Sequence, residues 1–174
     1  RPMAERKPGP AGRDDCLAAI AWLYGNVAEH GGDPERIFLG GHSSGAFLTA
    51  HIGVRRDWQA DYGIPVDVIR GCLPISGVYE QAMRDDGFYA SASVPEGASP
   101  ANCLAGTPPP FLVFNGDRGK QEQGLRQMAL GFAETLKSAG GEVEIFHHAP
   151  YDHFEANYLG ASPGGAWVSR AIPW

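Results

Sequence analysis

Four short apolar runs, each followed by a turn-rich stretch, set the rhythm of this chain. The first predicted element is a helix: Leu17, Ile20, Trp22, Leu23 and Val27 recur at helical spacing, and Gly31-Gly32 ends the pattern. Asp14 and Asp15 supply an N-cap and a negative charge for its first turn. Asp33-Pro34 is a turn, and Ile37-Phe38-Leu39 a short buried strand. A second helix carries Ala46, Phe47, Ala50 and Val54. Val66 to Ile75 alternates poorly but is rich in branched residues, which predicts a second buried strand closed by Ser76-Gly77. Pro108-Pro109-Pro110 leads into a third strand, Phe111 to Phe114. Leu125, Met128, Ala129, Phe132 and Leu136 then form a helical stripe stopped by Gly140-Gly141. Val143, Ile145 and His147 mark a fourth strand, and a last helix lies around Trp167.

Strands alternating with helices imply a mostly parallel sheet with flanking helices, an α/β protein. Residues 1–12, rich in Pro, Gly and charge, read as loop or linker, and residues 55–65 as a polar loop. Residues 78–109 read as an irregular excursion over the sheet, with Phe88 and Tyr89 the best aromatic candidates to line a pocket. No internal repeat or low-complexity tract is present.

The 174 residues fit a single domain, and 43% hydrophobic with 20% charged residues is an ordinary globular composition. A formal net charge of -6 without any basic run argues against a nucleic-acid partner. No apolar stretch reaches the length of a membrane span. Cys16, Cys72 and Cys103 match no zinc or redox spacing and read as free thiols of a reducing, cytoplasmic compartment. The chain opens at Arg1-Pro2-Met3 without an initiator methionine, so a secretory leader stays open as an alternative.

The candidate chemistry starts at Gly41-His42-Ser43-Ser44-Gly45, between the first strand and the second helix. With 24 glycines in the chain, G-x-S-x-G occurs easily by chance, so its setting decides. A serine at such a turn sits in a strained conformation with its hydroxyl above the sheet end. Small neighbours on both sides are expected, because a side chain at either glycine would clash with the adjoining strand or helix. An alcohol also needs a base to take its proton, and the base needs a third group to fix its tautomer. Each must reach the carboxyl-terminal edge of the sheet.

His153, in the loop after the fourth strand, is the candidate base. His147 and His148, at the end of that strand, read as structural, and His42 reads as pointing away from the nucleophile. The loop after the third strand, Asn115-Gly116-Asp117-Arg118-Gly119-Lys120-Gln121-Glu122, holds two candidate acids, Asp117 first and Glu122 second. The backbone N–H of Ser44, at a helix start, can supply one donor to an oxyanion. A second donor from an early His-Gly-Gly type loop is absent from this sequence.

With these pieces the chain resembles the carboxyl-terminal two-thirds of an α/β-hydrolase of the esterase type, and within it the kynurenine formamidase and feruloyl-esterase-like branch. The likeness rests on Gly31-Gly32-Asp33-Pro34-Glu35-Arg36-Ile37, Gly41-His42-Ser43-Ser44-Gly45-Ala46, Pro74-Ile75-Ser76-Gly77-Val78-Tyr79 and Tyr151-Asp152-His153-Phe154. It implies Ser43 as nucleophile and His153 as base. It also implies hydrolysis of a small-molecule ester or N-formyl amide through an acyl-enzyme, with no metal or other cofactor.

Two departures qualify the likeness. The family's acid usually lies three positions after the glycine that ends its strand, and counted from Gly116 that position is Gly119. The acid is then Asp117 or Glu122, or absent. The early strands are also missing, which leaves Ile37 to Leu39 with an unpaired apolar edge. About 80 to 100 family residues are expected to be cut away, disordered or supplied by a second chain; a homo-oligomer is a further arrangement left open. A catalytically degenerate binding or assembly protein, and an acyltransferase, are the alternatives to a hydrolase.

Overall fold

The computed structural model describes residues 10–80, 82–84, 87–89 and 98–174. Four parallel strands form the main sheet, in the order β1 (Ile37–His42), β2 (Ile69–Ile75), β5 (Phe111–Gly116), β6 (Val143–His148). β3 (Ala82–Arg84) and β4 (Gly87–Tyr89) make a separate antiparallel pair inside the 78–109 excursion. The side chains of Phe88 and Tyr89 lie outside the described residues.

Helices α1 (Pro10–Asn26), α2 (Ser44–Gly53) and α3 (Lys120–Ser138) carry the apolar faces that cover the sheet. Leu17 and Ile20 of α1, Ala50 and Ile52 of α2, and Ala129, Phe132 and Leu136 of α3 share one buried cluster with Cys72, Phe111 and Val113. A second, smaller cluster gathers Ile75, Phe114 and Ala156, flanked by Phe146 and Trp167. β5 is buried at every position, because its alternate side chains enter different clusters. That double burial is why it reads as a continuous apolar run. β1 is the terminal strand, and no described strand pairs with its outer edge. Its Phe38 is half-exposed, and the Trp174 ring meets it edge-on at 6.3 Å.

Several boundaries differ from the sequence reading. α1 starts at Pro10, inside the segment expected to be loop, since proline is tolerated in a first helical turn. Its buried face is Leu17 and Ile20, while Trp22 and Leu23 are exposed. β2 begins at Ile69 because the N–H of Val68 turns back onto the Pro65 carbonyl. The expected last helix is two single-turn helices, α4 (Glu155–Tyr158) and α5 (Val168–Ala171), the latter starting just past Trp167. Cys16, Cys72 and Cys103 are all unpaired.

β1 runs into α2 through Ser43 alone. Its φ of 59° is one of two positive values at described non-glycine residues, the other being Ser76 at 49°. Such a bend costs on the order of 1–3 kcal/mol and persists only where neighbours hold it. Here the Ser43 N–H donates to the Ile75 carbonyl at 2.9 Å, and the Ser43 carbonyl accepts from Ala46 and Phe47 in the first turn of α2. The two flanking glycines are not equivalent. A Cβ at Gly41 would collide with the Gly45 carbonyl and stand 2.9 Å from Thr49 Oγ1. A Cβ at Gly45 would meet nothing within 4 Å, contrary to the expectation that both positions exclude a side chain, because Gly45 faces outward from the first turn of the helix.

Urea denaturation therefore separates the two. Gly41→Ala is expected to lose about 1–3 kcal/mol or more by overpacking. Gly45→Ala should be neutral or gain up to about 1 kcal/mol, the helix-propensity difference. Equal losses at both positions would contradict the close approach at Gly41.

Candidate functional site

Three chain segments meet at the carboxyl-terminal edge of the sheet. The turn after β1 presents Ser43, the first turn of α3 presents Glu122, and the loop between β6 and α4 presents His153. The Ser43 hydroxyl donates to His153 Nε2 at 3.0 Å. On the other side of the ring, His153 Nδ1–H donates to Glu122 Oε1 at 2.7 Å. These roles follow from the acceptors: a carboxylate oxygen takes the Nδ1 proton and leaves Nε2 with its lone pair. Glu122 is fully buried, and its second oxygen accepts a 2.7 Å hydrogen bond from Ser76 Oγ, also fully buried.

Glu122 reaches this position because α3 begins immediately after Gly119. Gly119 has a φ of 93°, a backbone that an aspartate would hold only under strain. The carboxylate therefore comes from three residues further on. It extends the buried stripe of Leu125, Ala129, Phe132 and Leu136 back by one turn. There it also sits at the positive end of the helix.

Asp117, the first acid candidate, is not brought to His153. Its carboxylate pairs with Arg126 Nη1 at 3.1 and 3.2 Å, a partly buried ion pair. Its backbone serves instead: the N–H groups of Asp117 and Arg118 both donate to the Tyr151 carbonyl, at 3.0 and 2.9 Å. Gly116 allows this approach, since a Cβ there would strike that same carbonyl.

The base loop is pinned again at its far end. Asp152 Oδ1 accepts from the N–H groups of Phe154 and Glu155, and Arg118 pairs with both Asp152 and Glu155. The Glu155 N–H and then the Arg118 guanidinium hold the Asp152 carboxyl below the usual carboxylate range.

Of the remaining histidines, His147 and His148 lie in β6 and take no part in the relay. His42 does not point away from the nucleophile as the sequence suggested. Its Nε2–H donates to the backbone carbonyl of His153 at 2.7 Å, and the two rings lie 4.5 Å apart. Burial pushes the His42 imidazole below its usual pKa, so it is neutral near pH 7. Ser44 opens α2 and is exposed, with its backbone at the start of a ten-residue helix. Among the described residues, no group of three or more His, Cys, Asp or Glu is arranged to hold a metal ion. No described helix is long and apolar enough to cross a membrane.

The model of the alpha/beta hydrolase fold family matches residues 2–99, a span that holds Ser43 and Ser76 but not Glu122 or His153. The carboxylesterase NlhH of Mycobacterium tuberculosis is 30% identical, over 94% of this chain and 57% of that protein. Esterase LipQ of the same organism is 25% identical, over 94% of this chain and 42% of that protein. The chain thus spans about half the length of the curated relatives it matches. Among solved structures, Thermogutta terrifontis esterase 2 superposes with a TM-score of 0.68 at 22% identity, over 92% of this chain and 61% of that one. An acetyl ester-xyloside bifunctional hydrolase from Caldicellulosiruptor lactoaceticus gives 0.71 at 19% identity, over 95% and 65%. With more than half of its length matched by the family model, the chain belongs to the alpha/beta hydrolase fold family.

Proposed function

We propose that this chain carries the catalytic half of a serine hydrolase that cleaves small carboxylic esters through an acyl-enzyme. One observation carries the reading: the unbroken relay from the Ser43 hydroxyl through the His153 ring to the buried Glu122 carboxylate. In this reading Ser43 Oγ attacks the ester carbonyl while His153 Nε2 takes its proton. Glu122 stabilises the imidazolium that forms and keeps Nδ1 protonated. His153 then gives the proton to the departing alcohol, and a water activated by the same nitrogen releases the acid. The Ser44 N–H is the first donor to the oxyanion. The names of the relatives, carboxylesterase and esterase, support the ester over other acyl substrates. An N-formyl amide is the finer alternative, resting on the likeness to the kynurenine formamidase branch.

A fluorophosphonate probe should label Ser43, and Ser43→Ala should abolish both labelling and turnover of p-nitrophenyl acetate. Turnover retained in that variant would overturn the reading. Folded protein that neither labels nor turns over would favour the binding-protein alternative. Faster cleavage of an N-formyl anilide than of the acetate would move the substrate to the formamide class.

Glu122→Gln and Asp117→Asn discriminate between the two acids. Loss of the carboxylate that orients the base is expected to lower kcat about 10³- to 10⁴-fold in Glu122→Gln. Asp117→Asn should stay within a few-fold, because the Asp117 carboxylate pairs with Arg126 and not with His153. The reverse ranking in steady-state kinetics would reassign the acid.

A further inference from the structure

His42, next to Ser43 in the nucleophile turn, has a side chain that takes no part in the relay. It closes β1, paired in register with Ile75 of β2, so its backbone is fixed by the sheet. Its ring reaches across to the loop that carries the base and donates to the main chain of the base itself.

The acceptor matters. The two ring bonds of His153 belong to the reaction: the proton at Nε2 changes partner between serine and leaving group, and the bond at Nδ1 strengthens as charge develops. The carbonyl of His153 takes part in neither step. A hydrogen bond to it survives every stage of the cycle and holds the pivot about which the ring turns. The other ties run to the start of the segment after β5, through the Tyr151 carbonyl and through the Arg118 guanidinium on Asp152 and Glu155, and to the loop's own cap at Asp152. The His42 bond instead joins the base to the turn that bears the nucleophile. Because His42 is neutral near pH 7, it adds no positive charge beside an imidazolium 4.5 Å away.

We infer that His42 is a positioning residue: its Nε2–H, donated to the His153 carbonyl, sets the distance between base and nucleophile. The inference deepens the serine-hydrolase reading and, for its effect on rate, rests on it. A misplacement of about 1 Å at such a contact can cost on the order of 100-fold in rate.

The test compares three variants by two readouts. Amide hydrogen exchange at residues 153–156 reports the anchor, and the rate of fluorophosphonate labelling of Ser43 reports its consequence. Phenylalanine keeps a flat ring but cannot donate. Glutamine places an amide N–H near the reach of Nε2, whereas that of asparagine falls short. His42→Phe is expected to speed exchange at these amides roughly tenfold and to slow labelling about 10- to 100-fold. His42→Gln should restore both. If His42→Phe does not fold, the contrast between Gln, which retains both properties, and Asn, which loses them, carries the same content. Wild-type exchange and labelling in His42→Phe, or a Gln variant no better than Phe or Asn, would overturn the inference. A wild-type protein that does not label, but in which the exchange contrast holds, would keep the anchor and sink the hydrolase reading instead.

Discussion

A carboxylate with no access to water must find its compensation among donors that cannot move away. Glu122 is in that position. Its two oxygens accept from the Ser76 hydroxyl and from the His153 ring, each at 2.7 Å. Removing either donor leaves an under-compensated buried anion, a far larger penalty than the modest net worth of an ordinary hydrogen bond. The two donors come from opposite sides. Ser76 follows β2, His153 follows β6, and the helix bearing Glu122 follows β5 between them. All three therefore meet only if the strands lie in the observed order, so sheet topology and site geometry are a single requirement.

The same logic explains why two strained serines lie side by side. β1 and β2 end level with each other, His42 opposite Ile75, and each strand is followed by a serine with positive φ. One bend turns its hydroxyl to His153 and the other to Glu122. Their N–H groups are held by the next strand along, Ser43 by Ile75 and Ser76 by Phe114. Strain in one bend is thus resisted by the strand that leads into the other, and the rigid, doubly buried β5 stands behind both. The hydroxyls are aimed by backbone geometry rather than by side-chain rotamers alone.

Much of this was legible from pattern. The four strands, the serine turn and the base loop are local features: apolar runs, glycine spacing, and a histidine in the right place in chain order. What escaped depended on partners far along the sequence. Asp117, the first of the two candidate acids, lies just past the end of β5, yet it is Glu122 that reaches His153. The signal that favours Glu122 is helical: it falls one turn before Leu125 on the stripe that Ala129, Phe132 and Leu136 continue, where an acid is buried and must be paired. Gly119 carries a further hint, since its positive φ marks the helix start that puts Glu122 on the inside. No local rule places the His42 ring against the His153 carbonyl, because that bond spans 111 positions. Gly45 follows the motif without a steric need for it, which spacing alone could not reveal.

An acid drawn from a helix rather than from the preceding loop also has a mechanical rationale. Asp117 is only partly buried, with both oxygens turned to the Arg126 guanidinium, and solvent screening makes such a pair a weak constraint on geometry. A carboxylate in the first turn of α3 has its backbone fixed by the helix, its charge favoured by the helix dipole, and both oxygens committed to named donors. Orienting an imidazole requires a partner with one arrangement rather than many, because any freedom in the carboxylate passes directly to the ring. Burial supplies that restriction: it raises the energy of every arrangement except the one in which both donors are met. The loop that would have held a family-type acid is then released for a different task. It is the backbone of Asp117 and Arg118 that grips Tyr151 and so holds the loop of the base.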